Sequence, residues 1–254
     1  MVKVSRKRVV RVLPDMSRVR IAVLGHSPKQ FESIAYRDWL LPIYLDRLDL
    51  RFYNDYQKNN WAEVRAFLCD SLFDYSKCDY VGVASASWNK KFYRPSLEKI
   101  DRHERIHSLF QSNNNVLTAM VEPVSIWEKA FTRLGFINGD KFYDFVKSYS
   151  TKRAANRPVP LFNQVICHKS IYIDLCEFHR SVAGEVKDFV DKYADKLDSP
   201  LVKVRRYAYV AEAMTMAYLQ SKDYNYIPIA NLDPKWRDPT TAAKRLRYDS
   251  RQTK

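Results

Sequence analysis

Apolar positions along this chain fall into blocks whose period changes. Residues 19–24 form a nearly continuous apolar run that stops at Gly25-His26-Ser27, the pattern of a strand buried on both faces. Pro28 suits the first turn of a helix. That helix is expected to continue towards Leu41, where Pro42 would end it. A short strand is expected at 50–53. Trp61, Val64, Phe67, Leu68 and Leu72 recur at helical spacing and predict an amphipathic helix over 60–75. A third strand at 80–84, a charged and exposed helix at 95–111 and a fourth strand at 116–121 follow.

The second half changes character. Residues 124–148 read as helical and aromatic-rich, and 150–160 as a basic, proline-bounded loop, a candidate lid or linker. Residues 162–168 are a short apolar stretch. Two long helices are expected near 169–195 and 201–220, with a last strand at 224–229. Strands alternating with helices predict an α/β fold, a mostly parallel sheet with flanking helices and a helical C-terminal half. The organisation expected is a basic N-terminal arm (1–18), a ligand-binding α/β half (19–123), a helical acceptor half of the same domain (124–230) and a basic tail (231–254). Ligands of such sheets sit at the carboxyl ends of the strands. Those ends are expected at 25–28, 54–56, 85–91 and 122–123.

Charge sharpens this picture. The net charge is +14, and it concentrates at the ends. Lys3, Arg6, Lys7, Arg8, Arg11, Arg18 and Arg20 face only Asp15; Lys235, Arg237, Lys244, Arg245, Arg247, Arg251 and Lys254 exceed Asp233, Asp238 and Asp249. Clustered cations speed encounters with polyanions and make binding salt-dependent. Nucleic acid is the expected polyanion, with Arg6, Lys7, Arg8, Arg153, Arg157, Lys244, Arg245 and Arg247 as candidate contacts; the bland alternative is tails that only aid solubility. No apolar run reaches the roughly 18 residues of a membrane span, and the N-terminus does not read as a signal peptide. Cys69, Cys78, Cys167 and Cys176 lack metal-finger spacing and read as reduced thiols of a cytoplasmic protein, host cytoplasm if viral. Only 5 glycines occur, and neither a Gly-x-Gly-x-x-Gly nor a Walker A loop is present.

Three segments could carry chemistry. At 79–91 a strand runs into Ser85, Ser87, Trp88, Lys90 and Lys91: hydroxyl donors for phosphate or sugar oxygens, a ring for stacking, and cations (with Arg94) for a diphosphate. An ordinary strand end with a solvated loop is the plain alternative. At 162–169, Asn163, Gln164 and His168 flank an apolar centre; a lone histidine is more often a structural hydrogen-bonder than a catalyst. Glu212 is the single charge in the apolar run 207–219, where a carboxylate is costly unless paired or functional. A salt bridge to Arg205 or Arg206 is its structural alternative. Asp101, Arg102, Glu104 and Arg105 read as a solvated helix face.

At these same segments the chain resembles bacterial polysaccharide-type glycosyltransferases with a GT-A-like, nucleotide-sugar-binding fold. Ala62-Glu63-Val64-Arg65-Ala66-Phe67-Leu68 leads into Asp79-Tyr80-Val81-Gly82-Val83, as a Glu- and Leu-rich helix leads into the corresponding strand of that family. Residues 163–169, Arg206 and Glu212 resemble its later elements. The matching pieces are scattered between residues 19 and 229 and cover about two-thirds of the chain by pattern. The resemblance implies a nucleotide-sugar donor, by preference a UDP-sugar, across Gly25, His26, Ser27, Ser85, Ser87, Trp88, Lys90 and Asn163, with Glu212 and His168 as catalytic candidates. Many GT-A enzymes hold a divalent cation with Asp-x-Asp; this chain has Ser85-Ala86-Ser87 at that place, so metal use is open and no metal ligands are named. The basic ends are unlike a capsule enzyme and resemble phage enzymes that glycosylate hydroxylated DNA bases. The expected activity is sugar transfer to a hydroxyl, preferably on a DNA base. The alternatives are a non-catalytic nucleic-acid-binding protein and a polysaccharide glycosyltransferase. A nuclease would need an acidic metal cluster that the sequence does not display.

Overall fold

The computed structural model describes residues 14–48, 61–69, 71–122, 144–146, 148–149, 159–193 and 200–233. The first strand, β1 (Val19–Gly25), enters a six-stranded sheet with β2 (Leu40–Tyr44), β3 (Tyr80–Ser85), β5 (Asn115–Glu122), β6 (Val159–His168) and β7 (Asn225–Pro228). Across the sheet the order is β2-β1-β3-β6-β5-β7. β1 runs parallel to β2 and β3, and β7 parallel to β5, while β6 lies antiparallel between β3 and β5. Five strands therefore point one way and their carboxyl ends share one edge. A small second sheet pairs β4 (Phe92–Arg94) with β8 (Asn231–Leu232).

Short helices α1 (Pro28–Phe31), α2 (Arg65–Leu68), α3 (Trp88–Lys91) and α4 (Ile106–Leu109) connect the first strands. Two long helices, α5 (Lys169–Tyr193) and α6 (Pro200–Ser221), cover one face. α5 buries a stripe at spacing three and four, from Ile171, Tyr172 and Leu175 through Val182 and Val186 to Val190. Within it His179 is buried, stacked on Phe67 at 4.9 Å, with Nε2 2.8 Å from Thr215 Oγ1. Thr215 gives its hydroxyl hydrogen to Ala211 O, so Nε2–H of His179 is the donor. The other face is filled by Trp39, Trp88, Phe92, Leu97, Ile100, Ile106 and Leu109. Gly82 sits where β6 comes closest: a Cβ there would lie 2.7 Å from Ile166 Cγ1 and 2.8 Å from Val165 O.

Several expected elements differ. The helix expected from 28 to 41 is one turn, and Leu40–Tyr44 is a strand. Pro42 does not end a helix; it sits in β2, which pairs with β1 on one side and forms the sheet edge, where a missing N–H is tolerated. The expected strand at 50–53 and its end at 54–56 lie outside the described residues; the strand that follows β1 is β2, which ends at Tyr44 and runs into the 3-10 turn Leu45–Arg47. The helix expected over 60–75 covers only Ala62–Val64 in 3-10 form and α2. The helix expected over 95–111 is a 3-10 segment, Leu97–Arg102, and α4, both with buried Leu and Ile facing the sheet rather than a solvated face throughout. Residues 162–168 belong to a strand that starts at Val159. Of the helix expected over 124–148, the described residues are 144–146, which are helical, and 148, which lies in a turn.

Candidate active site

The carboxyl ends of β1, β2 and β3 lie side by side. At the end of β1 the chain turns tightly: the His26 N–H donates to Gln30 Oε1 at 2.6 Å, and a Cβ on Gly25 would meet Phe31 Cζ at 2.8 Å. A larger residue there would have to displace the Phe31 ring and the Gln30 side chain. His26 Nδ1 then stands 3.7 Å from Asp46 Oδ1, at the end of β2. Arg65, delivered by α2 and almost fully buried, approaches the same carboxylate oxygen at 3.9 Å and donates from Nη2 to Leu48 O at 3.3 Å. Burial pulls the Arg65 pKa down and Asp46 opposes that pull. His26, Asp46 and Arg65 thus gather at one end of the strand edge. Sequence reasoning found His26 and missed Asp46 and Arg65, because it placed the second strand ten residues downstream. The available signal was the apolar run Leu40-Leu41-Pro42-Ile43-Tyr44, once proline is accepted in an edge strand.

At the end of β3 the buried Ser85 and the half-buried Ser87 share a hydrogen bond of 2.8 Å between their hydroxyls, and the Ser87 N–H donates to Ser85 Oγ at 3.2 Å. The Ala86 N–H donates to Leu24 O at 2.8 Å and fastens this turn to β1. Trp88 is not available for stacking on a ligand: it is buried, it packs on Phe92, and its Nε1–H donates to Pro95 O at 2.9 Å. Asn89 clamps the next turn, donating to Ser33 O and Glu98 Oε2 and accepting from the Leu97 N–H. Lys90 is exposed and Lys91 half-buried. The Arg94 guanidinium lies over the ring of Tyr93.

Glu212 stands on α6, which packs against β6 and against the 3-10 turn carrying Glu63. The Glu212 side chain keeps only partial access to solvent. Burial lifts its pKa from 4.5 to about 7; the nearby Glu63 carboxylate adds to the rise and Lys91 opposes it. Asn163, on β6, is buried, and its Oδ1 has no hydrogen-bond partner among the described residues; the same holds for Gln164 Oε1. Both sit where β6 bulges, between its pairings with Thr118 and Met120.

His168 does not join this group. It pairs with Tyr80 at the start of β3, the far edge of the sheet, and its Nδ1 lies 2.9 Å from Ser170 Oγ. There Asp79 receives a two-pronged contact from Arg18 and a 3.4 Å contact from Lys169 Nζ. These cations hold its carboxyl well below the usual range. A cleft of about 500 Å3 opens beside them, lined by Asp15, Arg18, Asp79, Tyr80, His107 and Phe110 among others. The basic candidates Arg6, Lys7, Arg8, Arg153, Arg157, Lys244, Arg245 and Arg247 lie outside the described residues. Among the described residues no cluster of three His, Cys, Asp or Glu side chains could hold a metal, and no helix is long and apolar enough to cross a membrane.

A mixed six-stranded sheet with one inserted antiparallel strand, helices on both faces and a helical C-terminal region defines a GT-A-like fold. A solved structure shares it: the WbbM bifunctional glycosyltransferase in an apo structure, with a TM-score of 0.53, 11% sequence identity, and coverage of 84% of this chain. The chain spans about half, 46%, of that protein's length. No protein-family model matches the chain, and no curated protein matches its sequence.

Proposed function

We propose that this chain is a glycosyltransferase that moves a sugar from a nucleotide-sugar donor, a UDP-sugar by preference, to a hydroxyl acceptor. The observation that carries the reading is Glu212, a half-buried carboxylate lifted to about 7 on a helix packed against β6, in a sheet whose five like-directed strands share one carboxyl edge. A base works best when its pKa lies near the working pH. The nucleotide lies against His26, Asp46 and Arg65, and the Ser85–Ser87 turn receives phosphate or sugar oxygens, with Gly25 and Ser27 lining the approach. Asn163 faces the sugar. Glu212 takes the acceptor's proton as the acceptor oxygen bonds to the anomeric carbon and the bond to the diphosphate breaks. The electron pair leaves with the diphosphate, whose charge Lys90 and Lys91 offset. His168 has no part in this arrangement.

A glycan acceptor agrees with the structural neighbour better than a hydroxylated DNA base, which rests on the basic ends alone. A cytoplasmic location, with access to nucleotide sugars, goes with this reading. The test is a thermal-shift series with UDP, GDP and CDP on the full chain. A shift with one of them that Asp46→Ala and Arg65→Gln both reduce supports the proposal. No shift with any of the three defeats it.

A further inference from the structure

Among the described residues only two large hydrophobic side chains are exposed, Tyr36 and Tyr93, the latter 62% so. Tyr93 has a structural reason to face outward. In the small sheet Phe92 pairs with Leu232 and Arg94 with Asn231, so Tyr93 is the extra residue of a β-bulge. Bulges turn a side chain away from the ladder and recur beside active sites. Phe92 before it is buried in the core and anchors the strand. The Arg94 guanidinium sits 5.4 Å from the Tyr93 ring centre, and Lys90 is exposed just before the strand. The whole ledge follows Lys91 directly, and the Asp233 N–H donates to Lys91 O at 3.0 Å. It therefore adjoins Lys91 and the turn that follows β3.

We infer that Tyr93 and Arg94 form an acceptor-binding ledge for an acidic glycan. This rests on the transferase reading of the neighbouring site. A sugar ring presents C–H groups that pack on an aromatic face, and its carboxylate pairs with a guanidinium already held at that ring. Single-stranded nucleic acid is normally held by successive stacked bases along a cationic groove; among the described residues this ledge offers one exposed ring and one adjacent guanidinium, which suits a single sugar residue.

The experiment measures binding of the full chain to a polyuronate oligosaccharide, to neutral dextran and to duplex DNA, with Tyr93→Ala, Tyr93→Phe and Arg94→Gln beside the unaltered protein. Tyr93→Ala leaves net charge unchanged, so non-specific attraction does not move. The ledge predicts tighter binding to polyuronate than to dextran, a loss of roughly tenfold in Tyr93→Ala, retention in Tyr93→Phe, and loss of the uronate preference in Arg94→Gln. Equal polyuronate binding by Tyr93→Ala and the unaltered protein overturns it, as does a Tyr93-dependent preference for DNA. UDP, GDP and CDP thermal shifts are recorded on the same samples. Their absence defeats the transferase reading, while a Tyr93-dependent uronate preference would still establish the ledge.

Discussion

Replacing Glu212 with glutamine removes a charge that the fold holds at a cost. The carboxyl titrates at about 7 in the folded chain against an ordinary 4.5. Each pKa unit corresponds to about 1.4 kcal/mol, so the charged form weakens the fold by up to about 3 kcal/mol, and by less where solvent reaches the side chain. The sign follows from proton uptake. Below pH 4.5 the group is protonated whether the chain is folded or not, and no penalty exists. Between pH 4.5 and about 7 the folded chain holds the proton more tightly, so stability falls as pH rises. Above 7 the penalty is complete. Glu212→Gln is therefore as stable as the unaltered protein at pH 4 and more stable at pH 8, by roughly 2 kcal/mol or several degrees in Tm. Urea denaturation at the two pH values reads the difference, and sugar transfer or donor hydrolysis at pH 7.5 reads the chemistry. Gain of stability with loss of turnover marks a carboxylate kept for function. Equal stability of the two proteins at pH 8 would refute the desolvated carboxylate. Full turnover by the variant would refute its role as base.

Three further outcomes follow from the packing. Burial holds His179 neutral by pushing its pKa down to about 3 from 6.5; its contribution is complete above pH 6.5 and is lost as pH falls towards 3, so His179→Phe flattens the acid limb of a stability–pH curve. Gly82→Ala forces a methyl group against Ile166 and Val165 and destabilises by about 2 kcal/mol or more, read as a lower urea midpoint. Trp88→Phe leaves the buried Pro95 carbonyl without its donor. It costs about 2 kcal/mol but leaves the affinity for UDP unchanged, because the indole faces the core and not the ligand.

The strands at 19–25, 80–85 and 115–122 were legible because each is a short, nearly unbroken apolar run bounded by polar or turn residues. The helices of 169–193 and 200–221 were legible because their apolar stripe or apolar mass is long. Residues 40–44 were not. Phe31, Ile34 and Leu41 imitate a helical period, and Pro42 reads as a helix stop until tertiary structure makes this strand an edge. That slip hid Asp46, and with it the partner that gives Arg65 a place in the site. Trp88 shows the opposite failure: its position after β3 suggested a ligand contact, yet no sequence pattern reveals that its N–H belongs to Pro95. His168 and Asn163 lie five residues apart in one strand, and a ten-residue strand carries its two ends to opposite edges of the sheet. Glu212 was legible as an isolated charge in an apolar helix, the kind of local inconsistency that functional sites produce.

The proposed function requires that the carboxyl ends of β1, β2 and β3, together with Glu212, bind and activate a nucleotide sugar. Incubating the full chain with a panel of labelled UDP-, GDP- and CDP-sugars, and following release of the nucleoside diphosphate, tests it most directly. The account predicts release from one donor class, fast with the unaltered protein and at background with Glu212→Gln. No release from any donor, with or without glycan and hydroxymethylated-DNA acceptors, would contradict it.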